Sequence, residues 1–240
     1  LDVTGSIESN VTVSPGAKFA AYSGSSITGN VTNDGTFSIG DPIVPGTSTV
    51  TAQNISSSPT GANVRVGSSA TPDSGVSLVG SLTQGASSIL SFDVGPKSNT
   101  QLNVTGDFTA AGQLLIHGNG LSVGPGNNLK TTYSLLNDPT PNARLIGQFS
   151  SIAMSGLPVG EIYNVDYVTD PNILVTVFPT AYFQGVAQTG NERAVGATLD
   201  SAVASSTGAL YNQLNALYQL PSNQLAAQLN QLDGEMYADA

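Results

Sequence analysis

A single histidine limits the catalytic chemistry that this chain can perform. His117 is the only residue of its type, and the chain has no cysteine. A Ser-His-Asp triad or a two-histidine metal site would therefore have to use His117 or do without histidine. His117 ends the strand-like run QLLIH, which favours a surface histidine at a strand edge over a catalytic base. The sequence contains neither a G-x-S-x-G elbow nor an H-E-x-x-H motif.

Two other groups of polar residues are of the types that functional sites use, but they lack the neighbouring residues that such sites require. Asp166 and Asp170 could act as the paired carboxylates of a glycosidase or lyase, yet no cluster of Asp, Arg and Lys surrounds them in the sequence. The turn Asn33-Asp34-Gly35 could bind calcium, but the repeated nonapeptide of calcium-binding solenoids is missing. We therefore expect no catalytic, cofactor-binding or metal site, and no enzymatic activity.

Four asparagines lie in N-x-S/T sequons, which are Asn10, Asn30, Asn54 and Asn103. Such sequons are common by chance in a chain rich in serine and threonine, so glycosylation is not the favoured interpretation. Asn10 and Asn30 both precede a Val-Thr step. An asparagine at such a turn could instead form a ladder with the matching asparagine of the next layer.

The composition excludes two classes of partner. Charged residues make up 9% of the chain, against roughly a quarter in ordinary globular domains. The formal net charge is −10, and the six Lys and Arg residues are scattered. A phosphate-binding surface needs clustered basic residues, so we expect no nucleic-acid partner and no anionic membrane partner. No window approaches eighteen apolar residues, which excludes a spanning helix.

Short strands separated by glycines dominate the first three quarters of the chain. The stretch Leu102–Leu121 alternates apolar and polar residues in runs of three to five, with Gly106, Gly112 and Gly118 at the corners. Helices need longer runs, so this pattern indicates strands and turns. Residues 1–40 contain two similar units about twenty residues apart, in which Ile7, Val11, Val13 and Phe19 match Ile27, Val31 and Phe37. A strand-only repeat of this length predicts a β-solenoid.

Strands are predicted to be irregular over residues 41–80 and closely spaced from Ser81 onwards. Prolines interrupt residues 41–80, where we expect loop excursions at Ser56–Gly61 and Ser68–Gly75, either as surface insertions or as binding loops. Closely spaced strands follow from Ser81 to Val177. The last two flank Asp170-Pro171-Asn172, a short turn with hairpin character. A hairpin here would cover the open end of the stack.

After Pro179 the hydrophobic period becomes helical, from Gln188 to Ala240. We predict a first helix capped by Asn191 with Glu192 in its first turn, and a second helix over Ala209–Leu220. A third helix should begin at Ser222 or Asn223 after Pro221. The apolar stripe of the first helix comprises Ala194, Val195, Thr198, Leu199, Ala202 and Val203. The apolar stripe of the third comprises Leu225, Leu229, Leu232 and Met236.

The C-terminal two thirds resemble a known family. The run QGASSILSFDVGPKSNTQLNVTGDFTAAGQLLIHGNGLSVGPGNNLKTTYSLLND is similar to the C-terminal part of the passenger of monomeric autotransporters, the type V secreted proteins of Gram-negative bacteria. The later YNVDYVTDPNILVTV is similar to the hairpin that ends such passengers. The end LNQLDGEMYADA resembles the helical region that precedes the translocator barrel. The resemblance covers Ser81–Ala240 well and residues 1–80 only generically.

The resemblance implies a fold and a division of the chain. The fold would be an all-β, right-handed parallel β-helix capped by a hairpin and followed by a small helical segment. Residues 1–80 would be coils with loop excursions, residues 81–179 the autochaperone-like coils and cap, and residues 188–240 a helical linker. The folding-nucleus core would comprise Leu102, Val104, Leu114, Ile116, Leu121, Tyr133 and Leu135. The cap would comprise Tyr163, Tyr167, Val175 and Phe178.

The resemblance also implies a biological role. The chain would be the non-enzymatic stem and folding nucleus of a passenger, at the bacterial cell surface or secreted, with an outer-membrane β-barrel following Ala240. It opens in mid-strand without a signal peptide, as a fragment of a longer protein would. The alternative is an adhesin-type surface that binds a host cell or a glycan, or that self-associates. A polysaccharide-cleaving enzyme is a third and less favoured hypothesis.

Overall fold

A computed structural model describes the chain except for residues 23, 40–47, 58–61, 67–74, 97–98, 123, 138–143, 169–171 and 234–240. The described residues are mostly β-strand, and helices occur only after the last strand. The mainly β fold with a helical C-terminal segment is therefore confirmed. The predicted loop excursions fall largely outside the described residues, although Ser56 and Ser57 belong to a strand rather than to a loop.

Nineteen strands are described, and four helices follow the last of them. The strands are β1 (Asp2–Val3), β2 (Ser6–Ile7), β3 (Val11–Val13), β4 (Lys18–Ala21), β5 (Ser26–Ile27), β6 (Val31–Asn33), β7 (Thr36–Ile39), β8 (Ser48–Ser57), β9 (Asn63–Val66), β10 (Gly75–Thr83), β11 (Ile89–Val94), β12 (Gln101–Val104), β13 (Phe108–Ala110), β14 (Gln113–Gly118), β15 (Thr131–Asn137), β16 (Leu145–Gly147), β17 (Ser151–Ser155), β18 (Glu161–Val168) and β19 (Asn172–Pro179). The helices are α1 (Tyr182–Val186), α2 (Gly190–Val203), α3 (Gly208–Tyr218) and α4 (Ser222–Asp233).

In the described part of the chain the strands form two sheets. Sheet A has the order β1-β4-β7-β9-β11-β14-β17, and sheet B has the order β2-β5-β8-β10-β12-β15-β19-β18. In sheet B, β6 and β3 continue from β8, while β13 and β16 continue from β10. The pairings of sheet A, and those of sheet B from β2 to β15, are parallel. From β1 to β17 the chain passes repeatedly between the two sheets, so the strands that pair there are distant in sequence.

The predicted repeat in residues 1–40 is confirmed by the strand register. Ile7 pairs with Ile27, Val11 with Val31, and Phe19 with Phe37. The Phe19 and Phe37 rings stack with their centroids 5.4 Å apart. Like residues therefore lie above like residues, which lets each layer bury its apolar side chains against the next.

Two long strands link the two parts of sheet B. The first half of β8 pairs with β5 and its second half with β6, and the register with β10 shifts between Val79 and Ser81. Such a shift marks a β-bulge, which bends the strand. On either side of the bend Val76, Leu78 and Leu82 are fully buried. Strand β10 thus supplies core side chains to both halves of the sheet.

The last two strands are neighbours in sheet B. Only residues 169–171 separate β18 from β19, and a parallel pair would need a connection of about a dozen residues or more. The two strands must therefore run antiparallel, as a hairpin does. The backbone hydrogen bond from Thr180 N to Gly160 O, at 2.8 Å, lies at the open end of this pair.

The chain divides into two compact units. The first comprises Leu1–Gly120, Tyr133–Gly156 and Val165–Val175, and the second comprises Leu121–Thr132, Leu157–Asn164 and Thr176–Ala240. The helices therefore share their unit with non-helical segments that lie earlier in the chain. None of the described helices is long and apolar enough to cross a membrane.

The helix boundaries are close to the predicted ones, but the first cap is not. Helices α3 and α4 match the predicted second and third helices, while the short α1 has no counterpart in the prediction. Glu192 lies in the first turn of α2, as predicted. The prediction of Asn191 as its cap is wrong, because Thr189 is the N-cap and forms a capping box with Glu192. The spacing T-x-x-E at Thr189 is the sequence signature of that box.

Candidate functional site

Most residues predicted for the folding-nucleus core are buried. Leu102, Val104, Leu114, Ile116 and Leu135 are at most 1% exposed. They lie on β12, β14 and β15, which belong to both sheets. Tyr133, on β15, is 3% exposed. These side chains therefore line the interior of the first unit.

Leu121 does not lie in the core as expected, and the neighbouring strand residue Leu115 lies outside it as well. Leu121 is half-buried, lies outside the described strands and belongs to the second unit, whereas the other core candidates belong to the first. Leu115 is also half-buried, whereas its neighbours Leu114 and Ile116 are fully buried. Side chains of a strand alternate between its two faces, so Leu115 faces away from the core. It is therefore a poor position at which to disrupt packing.

The four predicted cap residues are divided between the units. Tyr167 and Val175 belong to the first unit, and Tyr163 and Phe178 to the second. The Tyr167 hydroxyl accepts a hydrogen bond from Phe149 N at 3.3 Å. Val175 is fully buried, while both tyrosines are half-buried. The tyrosines thus contribute partly exposed surface rather than core.

The predicted apolar stripe on the last helix is buried over only part of its length. Leu225 and Leu229 are fully buried, but Leu232 is 56% exposed. Met236 lies outside the described residues. Leu225 and Leu229 join Phe178 in one apolar cluster of the second unit. The other buried members of that cluster are Leu129, Phe183, Val203, Leu214 and Tyr218.

The predicted stripe on α2 is only partly correct. Ala194 and Thr198 are exposed, whereas Glu192, Gly196, Asp200 and Val203 are the buried residues of the helix. The buried positions recur at intervals of four, four and three, so the helical period is correct. The buried face nevertheless contains two carboxylates, which hydrophobicity does not predict.

Both buried carboxylates bind backbone amides. Glu192 accepts hydrogen bonds from Gln188 N and Thr189 N, so it caps its own helix. The two oxygens of Asp200 accept hydrogen bonds from Phe183 N at 3.0 Å and Gln184 N at 2.9 Å, at the start of α1. Burial raises the pKa of Asp200 despite these donors, which lower it. Asp200 thus replaces the missing side-chain cap of α1.

Helix α3 holds a non-helical segment of the same unit through side-chain hydrogen bonds. The Tyr218 hydroxyl accepts from Gly124 N at 2.6 Å, and Asn215 Oδ1 accepts from Leu129 N at 2.9 Å. Gln219 accepts from Gly126 N and donates to the carbonyl of Asn127. Burial raises the pKa of the Tyr218 hydroxyl above its ordinary value. These contacts make residues 121–132 part of the helical unit.

His117 lies beside a polar cluster on sheet A. Its Nδ1 is 3.1 Å from Ser155 Oγ. On the neighbouring strand, Asp93 is in register with His117 and is only 2% exposed. Asp93 accepts hydrogen bonds from Arg65 Nη2 at 2.9 Å and from Asn119 Nδ2 at 3.1 Å. The described contacts of Asp93 are thus an ion pair and an amide hydrogen bond.

The other candidates from the sequence are not assembled into a site. Asn33 is fully buried, accepts a hydrogen bond from Gly35 N and donates one to Asn63 O, so its side chain serves a turn. Asp166 is exposed, and Asp170 lies outside the described residues. Among the described residues, no group of three or more His, Cys, Asp or Glu could hold a metal ion.

The predicted asparagine ladder is confirmed by hydrogen bonds between layers. Asn30 N donates to Asn10 Oδ1 at 2.9 Å, and Asn54 Nδ2 donates to Asn30 Oδ1 at 3.1 Å. A second pair forms where Asn137 Nδ2 donates to Asn103 Oδ1 at 3.1 Å. All four sequon asparagines therefore use their side chains within these ladders.

A comparison with protein-family models finds no match, and a comparison with curated proteins finds none either.

Proposed function

We propose that this chain is a right-handed parallel β-helix that serves as the non-enzymatic stem and folding nucleus of an autotransporter passenger. The observation that carries the proposal is the repeated passage of the chain between two sheets of parallel strands from β1 to β17. Register partners are 20 residues apart at Ile7 and Ile27 and 24 apart at Leu90 and Leu114. This is the spacing expected when each coil of a solenoid lies on the previous one. The partner would be an outer-membrane β-barrel, and the location the bacterial surface.

The mechanism follows from in-register parallel pairing. A new coil gains its backbone hydrogen bonds and buries its apolar row only against a coil that has already folded. The first folded coils therefore template the rest. Leu102, Leu114 and Leu135 would supply the buried contacts of that nucleus. Folding outside the cell would then oppose backward movement of the unfolded part through the barrel.

A matched pair of substitutions tests the role in secretion. The chain would be expressed in front of an autotransporter barrel, and display would be measured by surface labelling and protease resistance. Leu114→Asp places a charge in the core and should sharply lower both, since an unpaired buried charge is very costly. Leu115→Asp makes the same chemical change at a half-buried outward position and should leave display near the unmodified level. Equal display of both variants and the unmodified chain would refute the proposal.

A further inference from the structure

Three buried polar side chains lie next to one another on the inward face of sheet B, one in each of three successive layers. Strand register places Asn33 of β6 beside Ser57 of β8. Gln84 follows Thr83, whose register partner is Ser56, so Gln84 lies beside Ser57 in the next layer. Asn33 is fully buried, and Ser57 and Gln84 are 6% and 2% exposed. We call Asn33, Ser57 and Gln84 the polar column.

Apolar side chains close both ends of the polar column. In the layer before it, Val13 is in register with Asn33. In the layer after it, Thr109 is the register partner of Thr83, so Ala110 lies beside Gln84. Val13 and Ala110 are both buried. Bulk solvent therefore does not reach the polar column along its own direction.

Two atoms of the polar column lack a protein partner among the described residues. They are the hydroxyl oxygen of Ser57 and Nε2 of Gln84, and both are buried. Asn33 differs, because its side chain bonds Gly35 N at 3.1 Å and Asn63 O at 3.0 Å. The great majority of buried polar groups in folded proteins bond either protein or ordered water. The two open atoms, one layer apart, therefore point to a bound partner between them.

Ser88 satisfies only one end of the Gln84 amide. Its Oγ lies 2.6 Å from Gln84 Oε1 and 2.8 Å from Gly85 O. A hydroxyl has one proton, so it donates to one of these two oxygens. With the amide turned over, the amide nitrogen would donate to Ser88 Oγ, which would donate to Gly85 O, and the amide oxygen would be the open atom. In either orientation one polar atom of Gln84 needs a partner that the described residues do not supply.

The spacing and chemistry of the polar column fit water better than an ion. Neighbouring strands are about 4.8 Å apart, and one water molecule with two hydrogen bonds of about 2.8 Å spans up to about 5.6 Å. Calcium would need roughly six to eight oxygen ligands, whereas the column offers one hydroxyl and neutral amides. Water both donates and accepts, so it suits a hydroxyl and either orientation of the Gln84 amide. Asn33 Oδ1 accepts one described hydrogen bond and has the capacity for a second.

We propose that the polar column binds one internal water molecule between Ser57 and Gln84. The water bonds the Ser57 hydroxyl, the open atom of the Gln84 amide and the second acceptor position of Asn33 Oδ1. These make about three hydrogen bonds, which is the usual number for a buried water. The water thereby joins three successive layers through their side chains. The inference does not rest on the role in secretion, because it concerns the interior of the first unit.

Two measurements on the purified 240-residue chain test the proposal. A crystal structure should show an isolated oxygen peak within hydrogen-bond distance of both Ser57 Oγ and the Gln84 amide. Magnetic relaxation dispersion of the water oxygen counts the water molecules that stay inside a protein for longer than it tumbles. Gln84→Leu removes the amide but leaves Ser88 bonded to Gly85 O, and it should lower that count by one. Thr83→Val, the same kind of change at the exposed neighbouring position, should leave the count unchanged.

Three results would overturn the proposal. The unmodified chain could show no peak at this position, it could show a direct hydrogen bond between Ser57 Oγ and the Gln84 amide, or Gln84→Leu could retain the full count of long-lived waters. The crystal structure of the unmodified chain decides the matter even if Gln84→Leu does not fold.

Discussion

Gly196 on α2 lies directly against the backbone of Gln184 on α1. A Cβ placed on Gly196 would be 2.7 Å from Gln184 N and 2.8 Å from Gln184 Cα. One turn further along α2, Asp200 accepts the hydrogen bond of the same Gln184 amide. The hydrogen bond from Gln184 N to Asp200 therefore needs the close approach of the two helices that a glycine at position 196 allows. Together they explain why a glycine and an aspartate occupy the buried face of a helix.

Replacing Gly196 with alanine should destabilise the helical unit. Alanine favours a helix over glycine by about 1 kcal/mol, but the added methyl group would push apart two packed backbones at a cost of about 1–3 kcal/mol. We expect a net loss in the free energy of unfolding, measured by urea denaturation. Gly185→Ala is the control, because a Cβ there meets nothing within 4 Å. A Gly196→Ala variant as stable as Gly185→Ala would contradict the packing argument.

Asp200 should make the stability of its unit depend on pH. Burial raises the pKa of Asp200 in the folded state. At any pH between the ordinary aspartate pKa, near 4, and this raised pKa, the folded state therefore binds more protons than the unfolded state. Stability from this group is then greatest below that window and falls as pH rises through it. Thermal unfolding from pH 7 down to pH 4 should show the unmodified protein gaining stability relative to Asp200→Asn. A pH-independent difference between the two would exclude this assignment.

The two described ion pairs should differ greatly in importance. Asp93 is 2% exposed beside Arg65, whereas Asp107 and Arg144 are 35% and 67% exposed. Arg65→Met would leave the buried carboxylate of Asp93 with Asn119 as its one side-chain partner among the described residues, and should cost about 3 kcal/mol of unfolding free energy. Arg144→Met should have no measurable effect, since exposed pairs contribute little. Adding Asp93→Asn to Arg65→Met should recover part of the loss. Equal losses for the two arginine variants would refute the distinction.

Two asparagines that are three residues apart, Asn30 and Asn33, should respond differently to alanine. Asn33→Ala would remove both hydrogen bonds of a fully buried side chain, those with Gly35 N and Asn63 O, at a cost of about 2–3 kcal/mol. Asn30→Ala removes an exposed ladder bond that water can replace, so we expect a loss below about 1 kcal/mol. Guanidinium denaturation of both variants measures the contrast. A larger loss at Asn30 would mean that the ladder outweighs the buried turn.

Local patterns were sufficient to predict the class of fold and much of the core. Alternation in short runs predicted strands, and the twenty-residue repeat predicted that Phe19 would lie above Phe37. The sequence also predicted α3 to within two residues at each end, and it predicted where α4 begins. These successes share a cause, since apolar periodicity and helix stop signals act within a few residues of one another. The capping box at Thr189 was equally readable from the sequence.

The same local patterns could not predict contacts between distant segments. The spacing between register partners rises from 20 residues at Ile7 to 38 at Gln113, so no fixed period extends over the whole chain. Leu121 ends the glycine-punctuated stretch Leu102–Leu121, yet it lies outside the described strands and belongs to the helical unit. The lengths of the loops between strands determine which strand residues pair, and these lengths cannot be deduced from the strand patterns themselves.

By itself the sequence determined which residues alternate, where the last two helices begin, and that the surface would be polar and weakly charged. Those properties depend on side-chain chemistry and on the intrinsic periods of strand and helix. Only the tertiary structure decided that Asp200 would cap α1 and that Leu115 would face outward. Each of these depends on which backbone lies against which, and that follows from packing across long sequence separations.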